Sequence, residues 1–413
     1  MNKTKIKKID KKTLYLGNDI SKNRHHIGGF TNSGSKFKVY SYSNSDDGFN
    51  RMWSRVSSYV EEEGIEEVII GVESTANYGQ CLLHYLSKKP VVLRQVNPSH
   101  SKRIKDLSDN SPLKNDKKDT YVIAQLLSMN HSLGVYLSRG LYADLRQYSH
   151  EREDIQQDMI RLYNRLEQLV SLLFPEFLTL MKLRLKTSNY LLRHYGSPSR
   201  MVALGKTGLW KEISKVSRSC IGSERSNALY EAALTSVGIK EGVAGIERRM
   251  IDLLDQIDLL QSQCKKVEKR MESILSTMPS YQWMKSVPGI GMVTCAVLLG
   301  ELGDMQNFSC INQVLKYAGL NLYETSSGRY QSRRRISKRG RPLIRKILYM
   351  ACTNMIRKGG LFYEKYQGYK ERGKTHFCIQ TALSKKLLTW IYTLVKQEKS
   401  YIENYESTKE LAA

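Results

Sequence analysis

The chain has 413 residues, with 65 Lys and Arg against 40 Asp and Glu, a net charge of +25. That length supports two or three domains with real cores, and a surplus of this size points to a polyanionic partner, nucleic acid first. No apolar run reaches the length of a membrane span, and the seven cysteines contain no C-x-x-C pair, so neither a zinc site nor a disulfide framework is indicated; the expected location is the cytoplasm, with nucleoid association and no membrane partner.

The first 135 residues read as α/β. A short apolar strand, TLYLGNDIS, follows the basic N-terminus, and HHIGGF and KFKVYSYS are the next two strands. DDGFNRMWSRVSSYVEEEG has helical spacing, with Phe49, Trp53, Val56 and Val60 on one face. EEVIIGVES is a continuous apolar run suited to a strand buried on both faces. NYGQCLLHYLSKK predicts a helix, VVLRQV a strand, and 116–128 a further helix, giving a mixed sheet flanked by helices.

Residues 136–279 have a different period. Ile155, Met159, Leu162, Leu166, Leu169 and Leu173 alternate spacings of four and three, and so do Met250, Leu253, Ile257, Leu260, Cys264, Val267, Met271 and Ile274. A 3.5-residue repeat predicts paired, antiparallel coiled helices, which can join each other or another copy of the chain. Residues 175–245 read as a helical insert. Residues 280–397 form a mainly α region with a helix-hairpin-helix-like turn, and 398–413 a flexible polar tail.

Two constellations carry chemistry. Asp116 and Asp119, three apart, share one face at the start of a helix among Lys114, Lys117 and Lys118. Acids in a first helical turn also answer the helix dipole and need no other role. Asp19 and Glu73, however, each end an apolar strand, where a sheet delivers polar side chains to its rim. Four converging carboxylates repel unless divalent cations neutralise them, and magnesium takes such hard oxygen ligands, two ions about 4 Å apart suiting phosphoryl transfer. The lysines then grip the phosphate backbone.

The second constellation is TSSGRYQSRRRISKRGRPLIRK, where two serines precede Arg329, Arg333, Arg334, Arg335, Lys338, Arg339 and Arg341. Charge runs and Ser-Gly pairs are common in plain surface turns. Guanidinium groups also bind phosphate bidentately, and a serine in a loop loosened by glycine can attack a phosphodiester, conserving the bond for rejoining. Upstream, VPGIG carries Gly289 and Gly291, where backbone N–H groups can approach phosphates without reading sequence.

GNDIS, VESTANY and KNDKKD, in that order, resemble the DEDD transposases of the insertion-sequence one-ten family, and GL…SSG…ISKRG resembles that family's C-terminal transposase domain (IS116/IS110/IS902-type). The resemblance implies a RuvC-like, RNase H-type N-terminal domain whose metal-binding tetrad is Asp19, Glu73, Asp116 and Asp119, with Mg2+ or Mn2+. It also implies a nucleophilic serine before the glycine, Ser327, with Ser326 as fallback. Further implied are a composite site shared between subunits of a dimer or tetramer, double-stranded donor and target DNA, and a guide noncoding RNA (bridge RNA) from the element. The chain departs from the family at Ala76 (usually Gly), Asn115 (usually Thr or Ser) and Leu322 (commonly Pro), none of which removes a carboxylate or the serine. The competing readings are a hydrolytic Holliday-junction resolvase or nuclease using the same acids, a non-enzymatic architectural protein, and a coiled-coil scaffold.

Overall fold

The computed structural model describes residues 11–73, 77–108, 116–135, 137–323, 326–327, 330–331 and 335–402. Lys114, Arg329, Arg333 and Arg334 lie outside the described residues, as do the side chains of Asp116, Lys117, Ser326 and Ser327. The chain divides into two compact units, 1–137 and 138–413.

In the first unit, β1 (Thr13–Asp19), β2 (Arg24–Thr31), β3 (Lys36–Ser43), β4 (Glu67–Glu73), β5 (Val92–Val96) and β6 (Leu133–Gly134) form one sheet ordered β3-β2-β1-β4-β5-β6. β4 runs parallel to β1 and β5 parallel to β4, while β2, β3 and β6 pair antiparallel. This mixed sheet is consistent with the RNase H-like start that the sequence implies. Strand parity sorts the two faces. Leu14, Leu16, Val68 and Ile70 enter a core with Phe49, Met52 and Val56 of α1 (Asp46–Glu63) and with Leu82 and Leu86 of α2 (Gln80–Leu86). α1 starts at Ser45, whose hydroxyl accepts from Gly48 N at 3.2 Å, and stops at Gly64 with φ +60°. Tyr15 and Val96 face the other way, onto Val122, Ile123, Leu126 and Leu127 of α4 (Asp116–Ser128).

Between β5 and α4 lies α3 (Pro98–Ser108), which the hydrophobic pattern does not announce. Pro98 occupies its first turn, and the Asn97 carboxamide accepts from Ser99 N at 2.9 Å. The helix is recognisable by its start rather than by an apolar stripe.

The second unit is helical. α5 (Leu141–Leu173) and α11 (Val243–Leu275) are 33 residues each. They pack antiparallel within the chain, tied by Arg152–Glu268 (2.7 Å), Gln156 to Cys264 Sγ (3.4 Å) and Gln261 to the Tyr163 hydroxyl (3.5 Å). The pairing that the heptads left open is thus made inside one chain. Between them, α6 (Pro175–Leu180), α7 (Lys186–His194), α8 (Pro198–Ala203), α9 (Gly205–Ser217) and α10 (Ser223–Leu234) share a core with Leu162, Leu166, Leu169, Leu254 and Ile257. The opposite halves of the long helices, through Ile155, Met159, Val267 and Met271, join the core of everything that follows. Those later elements are α12 (Pro279–Lys285), α13 (Met292–Leu302), α14 (Ile311–Ala318), the two-residue strands β7 (Leu322–Tyr323), β8 (Ser326–Ser327), β9 (Tyr330–Gln331) and β10 (Arg335–Ile336), then α15 (Pro342–Met355), α16 (Tyr363–Glu371) and α17 (His376–Gln397). Among the described residues no helix is long and apolar enough to cross a membrane.

Candidate active site

Asp19 is the last residue of β1 and Glu73 the last of β4. The two strands are parallel with Gly17 opposite Gly71 and Asn18 opposite Val72, so the acids end neighbouring strands at one edge of the sheet. Parity puts Asp19 on the face of Tyr15 and Gly17, and Glu73 on that of Ile69 and Gly71, the face covered by α4.

Glycine decides how closely α4 approaches. Gly28, Gly17 and Gly71 stand in one row across β2, β1 and β4. A β-carbon at Gly17 would lie 1.9 Å from the Thr120 carbonyl oxygen, one at Gly28 2.8 Å from Thr120 Oγ1, and one at Gly71 2.8 Å from Leu127 Cδ1. The helix backbone therefore rests in a trough without side chains, and Asp119, the residue before Thr120, is delivered to the rim where Asp19 and Glu73 end.

The electrostatics register this convergence. Burial pushes the Glu73 carboxyl above its usual range, the like charges of Asp19 and Asp119 add to the shift, and the Lys105 ammonium opposes it. Lys105, on α3, pairs with Asp119 Oδ1 at 2.6 Å. Hard carboxylate oxygens crowded at one edge are a donor set suited to a divalent cation. Among the described residues no three His, Cys, Asp or Glu side chains are close enough to share one ion. Asp116, one turn before Asp119, opens α4.

The serine loop lies in the second unit. Leu322 and Tyr323 pair with Ile336 and Arg335, and in a separate two-stranded sheet Ser326 and Ser327 pair with Gln331 and Tyr330. Ser327 is therefore the last residue of the two-residue strand β8, its backbone paired with Tyr330. Arg335, Lys338 and Arg339 are exposed. Arg341 is not part of an open basic face: its Nε donates to the Tyr317 hydroxyl at 3.0 Å, its guanidinium lies 5.3 Å from that ring's centroid, and it stands 3.6 Å from Glu301 Oε2.

VPGIG links α12 to α13. Gly289 has φ +89°, and a β-carbon there would press on Met355 Cγ at 2.9 Å, so conformation and packing both require glycine. Gly291 precedes the first turn of α13, and a β-carbon there would meet nothing within 4 Å.

Two domain models match the sequence that builds these sites. The DEDD transposase domain of the IS110 type matches residues 16–175, and the domain described as transposase IS116/IS110/IS902 family matches residues 281–367. The chain carries the transposase domains of the IS110/IS116/IS902 family. As a transposase it is an enzyme that cleaves and rejoins DNA. The chain is similar along nearly its whole length to the insertion element IS110 43.6 kDa protein of Streptomyces coelicolor, 23% identical over 97% of this chain and 98% of the relative. It is also similar to the transposase for insertion sequence element IS1111A of Coxiella burnetii, 25% identical over 32% of this chain and 38% of the relative. A pilin gene-inverting protein of Moraxella bovis is 28% identical over 29% of this chain and 37% of its own length.

Three features of the transposase were not anticipated in its sequence. Lys105 sits on a helix whose pattern is weak. The glycine row was visible as a repeated offset, Gly17 two before Asp19 and Gly71 two before Glu73, yet its meaning depends on strand register. Glu301, 2% exposed in α13, accepts from or pairs with His150 (2.6 Å), Arg146 (3.8 Å) and Arg341 (3.6 Å). A lone Glu in an apolar helix was its signal.

Proposed function

We propose that this transposase is a site-specific recombinase of a bacterial insertion sequence that cuts DNA through a covalent serine link. The observation that supports the reading is that Asp19 and Glu73 end neighbouring strands beside Asp119 of α4, near enough for the charges of Asp19 and Asp119 to act on Glu73, with Asp116 one turn earlier on the same helix. These four acids are the residues that would hold Mg2+ or Mn2+. Bound there, the cations supply Lewis-acid stabilisation of charge on the reacting phosphate and lower the cost of ionising the attacking hydroxyl.

The chain's own groups do the rest. Ser327 Oγ attacks phosphorus, the bond from phosphorus to the 3′ oxygen breaks, and the proton that leaves the serine ends on that oxygen. The products are a phosphoserine ester and a free 3′ hydroxyl, and attack by a 3′ hydroxyl of an exchanged strand reverses the step. Lys114, Lys117 and Lys118 beside the acids, and Arg329, Arg333, Arg334, Arg335, Lys338 and Arg339 beside the serine, hold phosphates. Gly289 and Gly291 let backbone N–H groups add contacts that ignore sequence. Residues 322–386 support this placement of DNA, with 17 Lys and Arg against three acids, a net +14 of the chain's +25. Target choice falls to base pairing by a structured RNA of the element, and copies of the chain assemble as a dimer or tetramer.

The test is denaturing electrophoresis after incubation with the element's own DNA ends and Mg2+. The protein forms a denaturant-resistant adduct; Ser327→Ala forms none. Nicking without an adduct overturns the serine mechanism in favour of hydrolysis, and an adduct that survives in Ser327→Ala overturns the assignment of Ser327 in favour of Ser326. Purification with RNA retained should return one abundant structured species matching DNA beside the gene; random RNA overturns the guide.

A further inference from the structure

At the start of α17, beyond residue 367 where the second domain match ends, His376 and Phe377 join Tyr349 and Tyr366 in an aromatic cluster open on the surface. Phe377 is 73% exposed, whereas Phe37, Phe174, Phe177 and Phe362 are buried. Its ring stacks on Tyr349 of α15 at 6.4 Å with planes 22° apart, and the His376 ring stands against it at 5.7 Å and 73°. His376 is held at both nitrogens: Nδ1 lies 2.9 Å from the Tyr366 hydroxyl of α16, and Nε2 lies 3.4 Å from the Tyr349 hydroxyl. Three helices thus fix the base of a platform whose outermost ring meets water. An aromatic ring left exposed and held in place is an open surface for another flat ring.

Charge says which one. Residues 342–386 hold ten Lys and Arg against two acids, Glu364 and Glu371. Lys370, in the last turn of α16, and Arg372 and Lys374, in the turn that leads into α17, are exposed. On the flank, Lys365 and Lys386 both bring their ammonium groups over the Trp390 ring, at 4.8 and 5.3 Å. Burial and the charge of Lys386 push Lys365 down to about 8. Like charges this close are relieved by an anion. A protein partner would have to be strongly acidic to cover such a surface. A nucleic-acid strand brings both complements at once, a flat base for the ring and phosphates for the cations.

We propose that Phe377, with Tyr349 and His376 behind it, is a stacking platform for an unpaired base of a single-stranded nucleic acid, whose phosphates are gripped by Lys370, Arg372 and Lys374. A paired base is closed to it, since in a duplex both faces are already stacked; the platform selects loops, bulges or displaced strands. It is a contact apart from the proposed strand-cutting residues and needs no reaction to be observed.

The experiment uses the full chain, fluorescein-labelled 20-nucleotide DNA and RNA single strands, and EDTA, with binding read by anisotropy. Phe377→Ala weakens binding about tenfold, the size of one lost base stack, while Phe377→Trp keeps it. On strands made wholly abasic, the protein and Phe377→Ala bind alike. Loss on RNA alone assigns the platform to RNA through the 2′ hydroxyl, loss on DNA alone to displaced DNA, and equal loss to any unpaired strand; each supports it. Binding by Phe377→Ala within twofold of the unsubstituted protein on every strand overturns it, as does a fall in mass by light scattering in Phe377→Ala, which would make the cluster a contact between copies. A missing adduct in the serine experiment leaves this result untouched, because no cleavage is measured.

Discussion

Gly17 and Gly71 each stand two residues before an acid, and in both strands the glycine is what lets the acid matter. A side chain at Gly17 would collide with a backbone carbonyl, which cannot swing aside as a flexible side chain can. Gly17→Ala should therefore cost about 1–3 kcal/mol of unfolding free energy, the usual range for forcing atoms into a packed interior. It should also abolish DNA cleavage by lifting Asp119 off the rim. Gly134→Ala, where a β-carbon meets nothing within 4 Å, should leave the urea midpoint unchanged. Lys105 acts in the opposite sense to a metal ligand, since its ammonium occupies Asp119 Oδ1. Lys105→Met removes a competitor for that oxygen. It should lower the Mg2+ concentration for half-maximal cleavage by about fivefold, the worth of one modest ion pair; an unchanged or higher requirement would mean that Lys105 holds phosphate instead. The acids themselves were legible in the sequence because an apolar strand that ends in Asp or Glu is visible by eye. Lys105 was not, because its partner is chosen by the crossing of α3 over α4 and by no local pattern.

At the scale of elements, what could be read was whatever repeats. The 3.5-residue spacing announced α5 and α11, and Leu166 and Ile257 on that stripe are fully buried. Leu166→Ala should cost about 2–5 kcal/mol, against less than about 0.5 kcal/mol for Leu259→Ala on the exposed side of α11. Whether the helices meet in one chain depends on the 69 residues between them, which fold back as α6–α10 and carry no period of their own. The Glu301 cluster was invisible for the same reason: α13 supplies the acid, α5 supplies Arg146 and His150, and Arg341 arrives from the turn before α15. Burial alone would raise the Glu301 carboxyl, but His150, Arg341 and Arg146 outweigh it and hold it below its usual range. A carboxyl depressed in the folded state stabilises above its unfolded value of 4.5, and the contribution disappears as pH falls through the lower folded value. Glu301→Gln should destabilise by about 2–3 kcal/mol at pH 7, because two guanidinium groups lose their counter-charge. Its deficit relative to the unsubstituted protein should shrink below about pH 4.5 in an acid-denaturation series.

Across the whole molecule, charge and chemistry are unevenly distributed. The first unit carries Asp19, Glu73, Asp116 and Asp119, and the second carries Ser327 with most of the positive surplus. Such a division predicts steep salt dependence for DNA binding: six to ten phosphate contacts would lose about 10³–10⁵ in affinity between 50 and 200 mM salt. It also makes the two halves of the reaction genetically separable. If the serine of one copy works against the carboxylates of another, Asp119→Ala and Ser327→Ala are each inactive alone but supply the missing half when mixed. The adduct should then appear on the Asp119→Ala polypeptide, which keeps its serine, and never on the Ser327→Ala polypeptide, and two fusion tags of different mass identify the labelled chain on one gel. Activity should rise with mixing ratio to a maximum near equal amounts, since mixed assemblies are commonest there. A mixture as inactive as its components, under conditions where light scattering shows that the copies associate, would mean that each chain completes its own site.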